Sequence, residues 1–232
     1  MKILAISDEV VDFIYSPRIK DKYADVDLVL ACGDLPFYYL EYIVTVLDVP
    51  LYYVPGNHDR LEQYLSDGRV IRRAEGCEEL DARVARLPAL TTAQRRQPAP
   101  PARNAGQLLL AGLGGSLRYN RDSVHQYTEP EMFGRALSLT PSLAVNRLRY
   151  GRFLDILVTH APPRGIHDAD DPAHTGFAVF RRLMDVFRPH LLLHGHSHVY
   201  RADTIMSTRY QHTQVLNVYP YRLINWEPAG HV

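Results

Sequence analysis

Leu51-Tyr52-Tyr53-Val54-Pro55-Gly56-Asn57-His58-Asp59 runs from an apolar stretch straight into a polar turn. The run Leu51 to Val54 predicts a buried strand. Glycine then turns the chain and gathers Asn, His and Asp at the strand's end. The same arrangement recurs outward from this stretch in both directions. Ile3 to Ile6 closes at Ser7-Asp8, and Leu28 to Ala31 closes at Gly33-Asp34. Phe153 to Val158 closes at Thr159-His160, and Leu191-Leu192-Leu193 leads to Gly195-His196-Ser197-His198. A lone His or Asp after a strand is usually a turn residue, but five in order are hard to ascribe to chance. Ligands of open α/β sheets bind beyond the carboxyl ends of strands. Asp, Asn and His are the side chains that hold a pair of divalent metals.

Between these runs the pattern changes to helix. Pro36 to Asp48 carries Leu40, Ile43, Val44 and Leu47 at helical spacing, and Pro36 suits a first turn. Strand, helix, strand, helix, strand favours a parallel sheet. Residues 69–87 lack helical period and predict short strands or a hairpin. Residues 88–106 hold Pro88, Pro98, Pro100 and Pro101 and predict a flexible surface excursion. Leu108 to Ala111 is a further buried-strand run, and it enters the turn Gly112-Leu113-Gly114-Gly115. Such a turn can bring backbone close to phosphate, although its spacing matches neither standard nucleotide motif. Thr128-Glu129-Pro130-Glu131 is a capping box, and Thr140-Pro141 restarts a second helix. Phe177, Phe180, Leu183, Met184 and Phe187 form one helical face, which is core packing. The tail from Val199 to Trp226 predicts antiparallel strands.

Composition narrows the class. The chain has 232 residues, enough for one large α/β domain with a buried core, and no domain linker interrupts 1–232. Lys plus Arg (26) equals Asp plus Glu (26), so no global charge draws it to nucleic acid or an anionic membrane. Its two cysteines, Cys32 and Cys77, do not suggest a disulfide scaffold. The apolar start, Met1 to Asp8, is too short for a signal peptide, and no run reaches membrane-span length. The expectation is a cytoplasmic protein.

Motif by motif and in order, these clusters resemble the calcineurin-like metallophosphoesterases. The resemblance spans Lys2 to about Trp226, and its most specific pieces are Gly56-Asn57-His58-Asp59 and Gly195-His196-Ser197-His198. It implies an α/β fold: two mixed β-sheets in a sandwich flanked by helices, with metals at one edge. It also implies two divalent metal ions, Mn2+, iron, Zn2+ or Ni2+. Asp34 would bridge both. Asn57, His160 and His196 would complete the second metal, and Asp8 and His198 would serve the first. His58 would sit over the substrate phosphate and protonate the leaving oxygen. Asp59, grouped with it at the catalytic turn, would orient neighbouring loops or ligands. A bridging carboxylate lets two cations sit roughly 3.5–4 Å apart, and metal-bound hydroxide then attacks phosphorus in line. The piece from Gly114 to Tyr119, with Gln126-Tyr127-Thr128-Glu129 behind it, resembles a prokaryotic subgroup whose substrate is generally unassigned.

The sequence departs from that pattern twice. The usual Asp-x-His is here Asp8-Glu9-Val10, and valine cannot coordinate a metal. The first site is therefore expected to be looser and more hydrated, unless Glu9 or Asp12 compensates. The Asp that often follows three residues after Asp34, to orient the catalytic histidine, is here Phe37. For the substrate, Arg164 and Arg118 are candidate phosphate forks. His167, Asp168, Asp170, Asp171 and His174 read as a solvated turn rather than site residues, and Tyr119 reads equally as a ring-stacking or a core-edge residue. The expected partner is a small phosphorylated substrate, a phosphodiester or small phosphomonoester. The alternatives are a scaffold that keeps the fold without turnover and a nuclease. The neutral charge and the lack of a basic stripe argue against a long polyanion.

Overall fold

A computed structural model describes residues 1–64, 68–90, 94, 106–199, 201 and 203–227. The first apolar runs form β1 (Lys2–Ile6), β2 (Leu28–Ala31) and β3 (Leu51–Tyr53), with α1 (Ile19–Tyr23) and α2 (Phe37–Leu47) between them. Pro36 lies in extended conformation just before α2 rather than inside its first turn. Asp48 closes that helix in the left-handed region, φ 55°. β4 (Gln63–Tyr64) and β5 (Val70–Ile71) pair with each other. Next come β6 (Glu78–Glu79), β7 (Arg83–Pro88) and β8 (Gln107–Leu113). The expected hairpin over 69–87 does not form between β6 and β7. β6 joins β3 in one sheet and β7 joins β8 in the other. Most of the Pro-rich excursion at 88–106 lies outside the described residues, and its two ends meet where Ala89 N–H donates to the Gly106 carbonyl at 2.7 Å.

β9 (Ser116–Leu117) and β10 (Gln126–Tyr127) form a two-stranded ribbon. α3 (Glu129–Ser138) starts on the capping box: Glu131 N–H donates to Thr128 Oγ1 at 3.4 Å, and Thr128 N–H donates to Glu131 Oε2 at 2.7 Å. α4 (Thr140–Tyr150) follows and stops at Gly151, φ 74°, where a left-handed cap favours glycine. β11 (Ile156–Thr159), α5 (Ala178–Phe187) and β12 (Leu191–His194) continue the alternation. Phe153 precedes β11 and packs edge-on against Phe187 instead. The tail forms β13 (Ser207–Tyr210), β14 (Thr213–Asn217) and β15 (Tyr221–Asn225). β13–β14 and β15–β1 are antiparallel as expected, but β14 lies parallel to β12.

Among the described residues one sheet has the order β15-β1-β2-β3-β6 and the other β13-β14-β12-β11-β8-β7. Both mix parallel and antiparallel pairs. Alternation along each strand builds the layers. Ile3, Ala5, Leu28 and Leu30 face Leu108, Leu110, Ile156, Val158 and Leu193 in the core between the sheets. Leu4, Ile6, Val29 and Ala31 point the other way, onto Tyr39, Leu40 and Ile43 of α2. Leu109, Ala111, Leu157 and Leu192 likewise meet Met132, Ala136, Phe180 and Leu183 of the other helices. The result is a mixed α/β sandwich of two sheets flanked by helices. No helix among the described residues is long and apolar enough to cross a membrane.

Candidate metal centre

Because β1, β2 and β3 run parallel, their carboxyl ends share one edge; β11 and β12 do the same in the second sheet. Asp8, Asp34 and Asn57 follow the first set, and His160, His196 and His198 follow the second. Glycines let these turns touch. A Cβ on Gly33 (φ 94°) would lie 2.8 Å from His160 Nδ1 and strike the Gly56 backbone. A Cβ on Gly195 would collide with Ser7 Oγ and Asp8. Asp8 (φ 64°), Asp34 (φ 57°) and His196 (φ 65°) all hold left-handed backbone, a cost of about 1–3 kcal/mol each for residues with a side chain. Three such turns at one edge are held by the surrounding structure.

One ligand atom each from Asp34, His160 and His196 lies within 4.8 Å of the others. His160 is fully buried, and its Nδ1 sits 2.7 Å from the Cys32 carbonyl. A carbonyl only accepts, so Nδ1 carries a proton, and Nε2 is the nitrogen turned toward the other site groups. Nε2 faces Asn57 Oδ1 at 2.8 Å and Asp34 Oδ2 at 3.5 Å. His196 works from its other nitrogen. Its Nε2 donates to the Ala173 carbonyl at 2.7 Å, which leaves the lone pair on Nδ1. Burial and the neighbouring His160 push the His196 pKa down to about 3, so the ring stays neutral. Burial opposes charge on His160 as well, but Asp34 and Asp8 raise its pKa above the usual value. A carboxylate, an amide oxygen and two imidazoles converging here fit a borderline divalent cation.

The second half of the centre is sparser. His198 Nε2 lies 3.6 Å from Asp8 Oδ1, and Asp8 raises the His198 pKa. Asp8 also accepts the Ser7 hydroxyl and the His196 N–H. Tyr219 lies flat on His198, centroids 4.6 Å apart, and donates its hydroxyl to Glu9 Oε2 at 2.8 Å. Val10 packs against the core around α2, and Asp12 is exposed. Asp8 and His198 therefore meet each other, while Asp34 groups with His160 and His196.

A family model described as calcineurin-like phosphoesterase matches residues 1–200. The chain belongs to the calcineurin-like phosphoesterase family. The family binds divalent metals, as the cluster above accommodates. No curated protein matches the sequence. Two solved crystal structures share the fold of this calcineurin-like chain. One is 18% identical, with 94% of this chain and 90% of that chain covered and a TM-score of 0.57. The other, TT1561 of Thermus thermophilus, is 14% identical, with 94% and 88% covered and a TM-score of 0.56.

In this calcineurin-like chain His58 is exposed, and its N–H donates to Asp34 Oδ1 at 2.8 Å. Asp59 Oδ2 accepts from Asp34 N–H at 3.0 Å and Gly56 N–H at 2.8 Å, tying the two turns together. Burial, then Asp34, raises the Asp59 pKa to about 6. Asp34, Pro36, His58, Gln63 and Tyr64 line an open hollow of about 430 Å3 beside the centre. Phe37, in the place of the absent Asp, is buried against Tyr53. Arg164 is exposed on the loop after His160. Arg118 is engaged elsewhere: its guanidinium donates to the Gln126 carbonyl and pairs with Glu131 at 2.8 Å.

Several site contacts have no sequence signal. The loop read as a solvated turn is pinned internally by Asp168 and Asp171, which accept from Gly165, Gly176, Ala173 and His174 N–H groups. It thereby brings the Ala173 carbonyl to His196 and the His174 ring within 5.3 Å of it. The Cys32 and Ala173 contributions are backbone carbonyls, which any residue type supplies. Tyr219 and Tyr119 gave no ligand spacing to detect.

Proposed function

We propose that this chain is a metal-dependent hydrolase of phosphate esters, acting on a phosphodiester or small phosphomonoester. The observation that carries the reading is the meeting of Asp34, Asn57, His160 and His196 at one edge, with exposed His58 beside them. Asp34, Asn57, His160 and His196 would hold one divalent cation; Asp8, Asp34 and His198 would hold the other. Bound there, the cations would supply Lewis acidity for the phosphoryl oxygens and make water acidic enough to attack at neutral pH.

The chain's own groups do the rest. His58 donates a proton to the leaving oxygen. The hollow that His58 lines receives the leaving group, and its size suits one moderate organic group rather than a protein surface. Asp59 holds the His58 turn against the Asp34 turn. Arg164 reaches the phosphate from the loop after His160, where a guanidinium can fork onto two oxygens. Arg118 has less to offer, since Glu131 already pairs with it. We infer a cytoplasmic setting from the free cysteines Cys32 and Cys77.

The test is hydrolysis of bis(4-nitrophenyl) phosphate with Mn2+. Activity should vanish on chelation and return with Mn2+. His58→Ala should lower kcat by about 10²–10⁴-fold while keeping metal. No turnover of any phosphoester with Mn2+, Ni2+ or Zn2+ would sink the proposal and leave the scaffold reading.

A further inference from the structure

The glycine-rich turn after β8 matches no phosphate cradle, and the reaction above gives it no part. Its contacts run to one place. Gly115 N–H donates to the Pro55 carbonyl at 2.8 Å. Gly114 lies so close to Pro55 that a side chain there would strike the proline ring and carbonyl. Ser123 Oγ donates to the Asn57 carbonyl at 3.3 Å. Asn57 Nδ2 donates to Tyr119 Oη at 3.1 Å. The backbone of Tyr119 is fixed in turn, since Gln126 Oε1 accepts from Tyr119 N–H at 3.1 Å and Asn120 N–H at 2.8 Å. Residues 114–126 therefore clamp the turn that carries Asn57, at its backbone on both sides and at its amide.

The amide needs such a clamp. Its two ends are nearly the same size and opposite in polarity, and only Oδ1 can meet a cation. Asn57 is buried, with Oδ1 turned inward to His160 at 2.8 Å. Nδ2 then points the other way, and a buried N–H without an acceptor is costly. We propose that Tyr119 is a positioning residue for the metal centre: its hydroxyl accepts the Asn57 Nδ2 hydrogen and so holds Oδ1 toward the cation. Tyr119 is 40% exposed, so its ring is not a core anchor and the hydroxyl bond is its specific contribution. The inference rests on the metal-centre reading and names a residue that the ligand pattern does not contain.

The experiment is a titration of metal-free protein with Mn2+ alone, followed by calorimetry, for the wild type and Tyr119→Phe. Phenylalanine keeps the ring and removes only the hydroxyl. Mn2+ binding at the Asn57 site should weaken about 10–100-fold, the range for loss of a group that orients a ligand. The metal-free protein should also melt a few degrees lower, because the Asn57 Nδ2 hydrogen loses its acceptor. On an Asn57→Ala background the same change should cost nothing further, because the amide it serves is gone. Equal Mn2+ affinity in wild type and Tyr119→Phe would overturn the role, as would an equal loss with and without Asn57. A wild-type protein that binds no Mn2+ gives a distinct result, overturning the metal centre and this role together.

Discussion

Val10 is the side chain on which the balance of the proposed two-cation centre would turn. It packs into the core around α2, while Glu9 beside it is held by Tyr219. On the proposed assignment the first site would be left with Asp8, Asp34 and His198, whereas the second would have Asp34, Asn57, His160 and His196. Fewer protein ligands mean more water in the coordination sphere and faster loss. Elemental analysis after extensive dialysis should find one metal retained and the other depleted; two equally retained metals would refute this. The candidate side chains were legible one by one, because each closes an apolar run. Their tautomers were not. His160 would offer Nε2 to a cation because the Cys32 carbonyl takes Nδ1, and His196 would offer Nδ1 because the Ala173 carbonyl takes Nε2. Neither carbonyl belongs to a residue chosen for its side chain.

At the scale of elements, the helices follow local rules. The Thr128 box caps α3 as its spacing predicts, and the apolar stripe of α5 lies on the second sheet. Phe180, fully buried there, should lose about 3–5 kcal/mol of stability on Phe180→Ala, while Leu148→Ser, at a position 86% exposed, should stay within about 0.5 kcal/mol. Urea denaturation midpoints check both. Strand partners were harder to read. β6 and β7 sit four residues apart yet enter different sheets, and β14 lies parallel to β12 beside its antiparallel partner β13. A short strand's partner is chosen by packing across the whole sandwich, and its own few residues carry little of that choice.

At the scale of the molecule, a buried and a half-buried histidine link the fold to pH. His167 Nδ1 lies 2.9 Å from His194 Nε2, and His167 Nε2 lies 2.8 Å from Thr208 Oγ1. Burial pushes His194 down to about 3 and, with Arg222, His167 down to about 4. An unfolded histidine titrates near about 6.5. Below that value the unfolded chain binds protons that the folded pair refuses, so the pair's contribution falls as pH drops toward about 4. Metal-free His167→Gln should therefore lose melting temperature less steeply than wild type from pH 7 to pH 5; equal slopes would refute the linkage.

The sequence by itself determined the candidate ligand types, the strands they close and the family, because apolar periodicity and turn chemistry act over a few neighbouring residues. Only the tertiary structure decided that two sheets would press their carboxyl edges together, which nitrogen each histidine would offer, and that Tyr119 would meet Asn57. Those outcomes depend on contacts between residues up to 188 positions apart, such as Asp8 with the His196 N–H. Such contacts arise only when the two sheets bury a common core, and that core is a property of the whole chain.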